Sequence, residues 1–201
     1  MFQRQPWMQR AGEFPGGDVE YHELLARAVF SGGLGPRVVE ARWAGITDAF
    51  RGFDPAAVAA MGADDVSRLL ADPGVIRNRR KIEAVIENAG RFLDITAEHG
   101  GFHEYLCSAG AASEGGASEG GASDLEAAAA ELAGCFRHLG PASAALFLFS
   151  AGWRSGSDDE GVDAQEEVPA TGEAVPAKPE GAGRASSRRK AQAGTSVAAA
   201  L

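Results

Sequence analysis

The chain has 201 residues, 45% of them hydrophobic, enough for the core of one domain with tails. Lysine and arginine total 19 against 28 acidic residues, a formal net charge of −9. That balance excludes a globally basic nucleic-acid coat but not a local basic patch. No apolar run reaches the roughly 18–20 residues of a membrane span. The opening Met1-Phe2-Gln3-Arg4-Gln5-Pro6-Trp7 lacks the apolar stretch of a secretory signal. Cys107 and Cys135 stand alone without CxxC spacing, which argues against a disulfide framework. A soluble, cytoplasmic protein with no cofactor and no membrane contact is expected.

Residues 1–17 are weakly patterned and are expected to be weakly ordered. A helical body follows over 18–154. Tyr21, Leu24, Leu25, Ala28 and Val29 form one apolar stripe, with Asp18 placed to cap it and Gly32-Gly33 to end it. Val39, Trp43, Ile46 and Phe50 give a second stripe after Pro36. Asp54-Pro55 starts a short helix. Another begins at Asp64-Asp65 and breaks at Asp72-Pro73-Gly74. A long helix carries Ile82, Val85, Ile86, Ala89 and Leu93 on one face, and short helices are expected near Phe102–Leu106 and from Asp124 to Phe136. The segment from Pro141 to Gly152 is apolar nearly all round and should be a buried central helix.

Two biased stretches frame this body. Residues 109–123 contain a doubled Ala-Ser-Glu-Gly-Gly unit, read as a flexible insert. Residues 155–201 have no Phe, Trp, Tyr, Ile or Met, so burial cannot offset their ordering entropy and a disordered tail is expected. No stretch alternates with period two, and the fold class is all-α with roughly seven or eight helices.

Two segments carry chemistry. Arg77-Asn78-Arg79-Arg80-Lys81 places four cations at a helix start, where the macrodipole disfavours them. Either an anion such as phosphate sits nearby, or Glu83 and Glu87 pair with them on a solvated face. Phe136-Arg137-His138-Leu139-Gly140-Pro141-Ala142-Ser143 reads as a helix end, a hydrophobic-Gly turn and a small-residue helix start. That is the layout of a helix-hairpin-helix, whose turn amides bind one DNA phosphate. An ordinary αα-turn has the same layout and is the more common source of one such match taken alone.

Taken in order, these segments resemble the base-excision DNA glycosylase superfamily. More narrowly, the body resembles the bacterial DNA-3-methyladenine glycosylase I family. The matching text includes Ala28-Val29-Phe30-Ser31-Gly32-Gly33-Leu34, Val38-Val39-Glu40-Ala41-Arg42-Trp43, Phe53-Asp54-Pro55 and Ile76-Arg77-Asn78-Arg79-Arg80-Lys81-Ile82. The resemblance implies a helix-hairpin-helix glycosylase-like domain that removes alkylated purines, typically 3-methyladenine, from double-stranded DNA. It is expected to work as a monomer in DNA repair. An N3-alkylated adenine is cationic and already a good leaving group. The enzyme must extrude the nucleotide, hold the charged base and admit water.

The resemblance also assigns roles. Gly140, Ser143 and His138 are expected at phosphate, with Arg77, Arg79 and Lys81 assisting electrostatically or stabilising the helix start. Tyr21, Phe30 and Ser31 are the candidate pocket wall. Ala28 falls where family members carry a glutamate facing the base, and Pro36 where they carry a tryptophan. No general base is identified. The structural zinc of well-studied members, held by two Cys and two His near the chain ends, has no ligands here, so no metal is expected. Trp7 either folds over the pocket or sits in a frayed terminus. His22 and Glu23 are either polar contacts or solvated. Trp43 is read as core, and His99 and His103 as incidental. Ala142 stands where bifunctional relatives place a Schiff-base lysine, which implies a monofunctional enzyme. The competing reading is a non-catalytic DNA- or lesion-binding protein that kept the fold and lost the pocket.

Overall fold

A computed structural model describes residues 2–109 and 122–153. The tail, and all of the insert except Ala109 and its last two residues, lie outside the described residues. Helix α1 (Asp18–Ser31) buries the anticipated stripe of Tyr21, Leu24, Leu25, Ala28 and Val29. Asp18 does not cap it. The helix starts at Asp18 itself, and its carboxylate accepts instead from the Phe102 N–H at 3.0 Å. A distant helix start thus takes the acceptor that local sequence offers to α1.

The second stripe is divided between α2 (Pro36–Glu40) and α3 (Trp43–Ala49). A turn at Arg51–Phe53 then runs left-handed through three residues, with φ of 57°, 64° and 56°. For Arg51 and Phe53 this conformation costs about 1–2 kcal/mol each. Burial offsets it. Phe53 is fully enclosed, stacked on Trp43 at 5.2 Å and on Phe50 at 5.5 Å, and such a ring contributes roughly 1.5–3 kcal/mol.

Asp54 caps α4 (Pro55–Ala59) by accepting from the Ala57 N–H at 2.7 Å. In α5 (Ala63–Ala71) the Asp65 carboxylate reaches back to the Gly62 N–H at 3.2 Å. Asn78 caps the long α6 (Arg79–His99), accepting from the Lys81 N–H at 3.3 Å, and Gly100 ends it in the left-handed region at φ 84°. Helices α7 (Phe102–Ser108), α8 (Ala122–Cys135) and α9 (Pro141–Ser150) complete the order. Helix α9 packs between α8 and α1, while α6 lies against α4, α1 and α7. The fold is all-α, and among the described residues there is no strand.

Residues 2–17 form no helix, yet they are tied down. The Gln9 N–H donates to the Ser150 carbonyl at 2.8 Å and the Gly12 N–H to the Gly152 carbonyl at 3.0 Å. Phe14 packs on Trp153 with ring centroids 4.4 Å apart. Gly152 is required here: its φ is +87°, and a Cβ would lie 2.0 Å from the Glu13 carbonyl oxygen. This N-terminal strap therefore closes over the end of α9.

Candidate nucleic-acid interface and base site

The hairpin between α8 and α9 is anchored by two buried side chains, Phe136 and Leu139. Between them His138 adopts φ 57°, a left-handed value that lets the chain reverse in so few residues. Gly140 is extended, and Pro141 supplies the first helical position without needing a hydrogen-bond acceptor. A side chain from α6 fixes the turn. Asn88, buried, accepts from the Arg137 N–H at 2.7 Å and donates from Nδ2 to the Arg137 carbonyl at 2.9 Å. The Arg137 guanidinium also pairs with Glu87, which holds it above its ordinary pKa.

The consequence lies in what remains unpaired. Among the described residues no group accepts from the main-chain N–H of His138, Leu139, Gly140, Ala142 or Ser143. His138, Gly140, Pro141 and Ala142 are exposed. The positive end of the α9 macrodipole adds to these amides, a combination that suits an anion.

The basic turn behaves differently along its length. Arg77, Arg79 and Arg80 are exposed, and Arg79 pairs with Glu83 at 3.2 Å. Glu87 turns instead to Arg137. Lys81 points inward: it is buried, and Nζ donates to the Phe30 carbonyl at 2.6 Å and to that of Gly32. Lys81 thus satisfies carbonyls at the end of α1, where the dipole favours a cation. Burial lowers its pKa. A Cβ on Gly32 would sit 3.4 Å from Ser143 Oγ and 3.9 Å from Lys81 Nζ. The basic turn, the end of α1 and the hairpin helix therefore converge on one point.

The anticipated pocket wall is mostly core. Phe30 is fully buried, edge-on to Trp43 and Phe50. Tyr21 is 1% exposed; its hydroxyl is hydrogen-bonded to His103 Nδ1 at 2.7 Å, and its ring meets Phe102 and Phe147. Burial raises the Tyr21 pKa strongly, with nearby Trp153 opposing the shift. The Trp153 indole N–H itself makes no aligned hydrogen bond. Ala28 is buried, Ser31 half-buried, and Pro36 begins α2. His22 is not solvated. It donates from Nδ1 to the Phe53 carbonyl at 2.8 Å, and Nε2 is buried without a partner. Burial lowers its pKa, with the Phe53 bond acting against the shift. An apolar cleft of about 340 Å³ between α8, α9 and Phe2 is lined by none of these pocket residues.

Sequence reasoning passed over a polar cluster beside Ala28. Arg27 is only 5% exposed, its guanidinium carbon 3.7 Å from the Trp7 ring centroid and 4.6 Å from that of Trp43. It pairs with Glu40 on α2, while the Trp43 indole N–H donates to Glu23 at 2.7 Å. Burial lowers the Arg27 pKa against the pull of Glu40 and Glu23. The available signal was Glu23 four residues before Arg27 on one helix face. Trp43 is buried, as its place on the second stripe implies. His103, read as incidental, holds Tyr21.

Where the strap meets the end of α9, His103 supplies an imidazole against Phe14 and Trp153, but its Nδ1 is taken by the Tyr21 hydroxyl. Among the described residues no three His, Cys, Asp or Glu gather in a metal-binding group. No helix among them is long and apolar enough to cross a membrane.

A family model for methyladenine glycosylase matches residues 11–131. DNA-3-methyladenine glycosylase 1 of Escherichia coli is 44% identical over 59 residues, covering 29% of this chain and 32% of that protein. The DNA-3-methyladenine glycosylase of Haemophilus influenzae is 34% identical over 61 residues, 30% of this chain and 33% of the relative. The chain spans about a third of the length of these curated relatives. Among solved structures, 3-methyladenine DNA glycosylase I from Staphylococcus aureus superposes with a TM-score of 0.61 at 25% identity, over 76% of this chain and 88% of that one. A variant of 3-methyladenine DNA glycosylase I in complex with 3-methyladenine gives 0.62 at 25% identity, over 76% and 89%. With a match across more than half its length and the same helical architecture, the chain belongs to the methyladenine glycosylase family.

Proposed function

We propose that the protein is a monofunctional DNA-3-methyladenine glycosylase acting as a monomer on double-stranded DNA. The observation that carries the reading is the exposed hairpin, with its set of unpaired amides at the start of α9, in a chain of this family. The amides of Gly140 and Ser143, with His138 beside them, grip one phosphate of the damaged strand. Such a site needs little net charge, which suits a protein at −9. The exposed Arg77 and Arg79 add long-range attraction. Lys81 acts indirectly, by tying the end of α1 to the start of α6.

Extrusion of the nucleotide brings the base toward the end of α1 and the start of α2, near Ala28, Ser31 and Pro36. The alkylated purine carries its own positive charge, so cleavage of the glycosidic bond demands less of the protein than removal of a neutral base. Ala28 offers no carboxylate, and water attack relies on the leaving group. Ala142 bears a methyl group and forms no Schiff base, so the product is an intact abasic strand.

The test is base release from a duplex containing 3-methyladenine. The chain should release the base, and Gly140→Asp, which sets a carboxylate against the phosphate, should lose both binding and release. Tight binding to the lesion duplex without release would instead identify a lesion-binding protein. Absence of both would end the repair reading.

A further inference from the structure

The Arg27 cluster has the form of a cation site with its cation already inside. Trp43 is the fixed inner wall: its back lies on Phe53 at 5.2 Å and its indole N–H is held by Glu23 at 2.7 Å. Trp7 is the outer wall and belongs to the irregular strap, half-buried and without helical hydrogen bonds of its own. Glu40 stands at the mouth with its side chain 58% exposed. Between the indoles lies a planar, delocalised cation whose N–H edge meets a carboxylate.

An alkylated purine base answers the same description: flat, singly positive, with polar hydrogens at its rim. Two aromatic faces and an acidic edge distinguish such a cation from a neutral purine of equal size. We infer that the Trp7–Trp43 box is a binding site for a flat delocalised cation, and that Arg27 is its intramolecular occupant, which a cationic base must displace. The identity of that base rests on the glycosylase reading; the box itself rests on the contacts of Arg27. Displacement has a defined route. The strap lifts Trp7 and the Arg27 head swings outward into solvent, leaving the Glu40 carboxylate at the exposed rim to the incoming base. A neutral base gains nothing from the charged rim and the ring faces, so the box sets the selectivity and Arg27 keeps net affinity low.

The experiment is a tryptophan-fluorescence titration of the full chain and of Arg27→Ala. The probes are 1-methyladenosine, a cation at neutral pH, and adenosine, its neutral counterpart. Arg27→Ala should bind 1-methyladenosine at least about tenfold more tightly than the parent chain does, and more tightly than it binds adenosine. Methylguanidinium should compete, and adding Trp7→Ala should remove the gain. Equal affinity of parent and variant, or of the two nucleosides for the variant, overturns the inference. Should Arg27→Ala fail to fold by circular dichroism, Arg27→Gln keeps the stem without the charge, and the same order of affinities is required of it. Base release from alkylated duplex, measured in parallel, separates the two claims. Cation binding without release sinks the glycosylase reading alone, and release without cation preference sinks the box alone.

Discussion

Asn88 is the single side chain on which the hairpin's geometry turns. Its amide accepts from the Arg137 N–H at 2.7 Å and donates to the Arg137 carbonyl at 2.9 Å, across 49 residues of sequence. Asn88→Ala deletes both at once and leaves a small void at a position only 3% exposed. Each bond contributes about 0.5–1.5 kcal/mol net, and water reaches only part of the vacated group, so a loss of roughly 2–3 kcal/mol is expected. For a domain of this size that lowers the melting temperature by about 5–12 °C. The second consequence is functional. The amides from His138 to Ser143 keep their identity but lose their frame, so affinity for abasic or alkylated duplex should fall at least about tenfold at matched folded fraction. The slope of affinity against salt should stay unchanged, because no cation is removed. Urea denaturation and a salt series of binding isotherms read both effects. Unchanged stability would show that the clasp contributes nothing; lost stability with undiminished binding would show that the hairpin is not the DNA-contacting surface.

Further outcomes follow from single residues. His22 donates from Nδ1 and buries a bare Nε2, so its folded-state pKa lies below the ordinary value of about 6.5. The unfolded chain then binds the extra proton more readily, and stability is full above about pH 6.5 and declines as pH falls below it. Replacement by Asn, which keeps a donor toward the Phe53 carbonyl, should flatten that decline in pH-dependent denaturation curves. Gly152→Ala meets the Glu13 carbonyl at a hypothetical Cβ distance of 2.0 Å in a left-handed backbone. It should release the strap, seen as rapid tryptic cleavage at Arg4 or Arg10 while the helical content by circular dichroism is retained. Lys81→Met leaves the Phe30 and Gly32 carbonyls without their donor and should cost about 1–3 kcal/mol, read by denaturation. A stable Lys81→Met protein would mean that the end of α1 is held by packing alone.

Local sequence determined most of the helical order. The stripes of α1 and α6, the Asp54 cap and the apolar α9 follow from periodicity and end signals, because a helix needs only its own neighbours to declare itself. The hairpin was legible for the same reason, since Leu139-Gly140-Pro141 specifies a turn and a helix start over a few residues. Tertiary structure alone decided which polar groups are spent and which are left over. Asp18 serves α7 and not its own helix, Lys81 turns from the basic face to the carbonyls of α1, and Arg27 lies between two indoles brought from separate elements. Each choice is a competition among partners tens of residues apart, settled by desolvation: a charge that folding buries must find its acceptor wherever the packed chain has placed one.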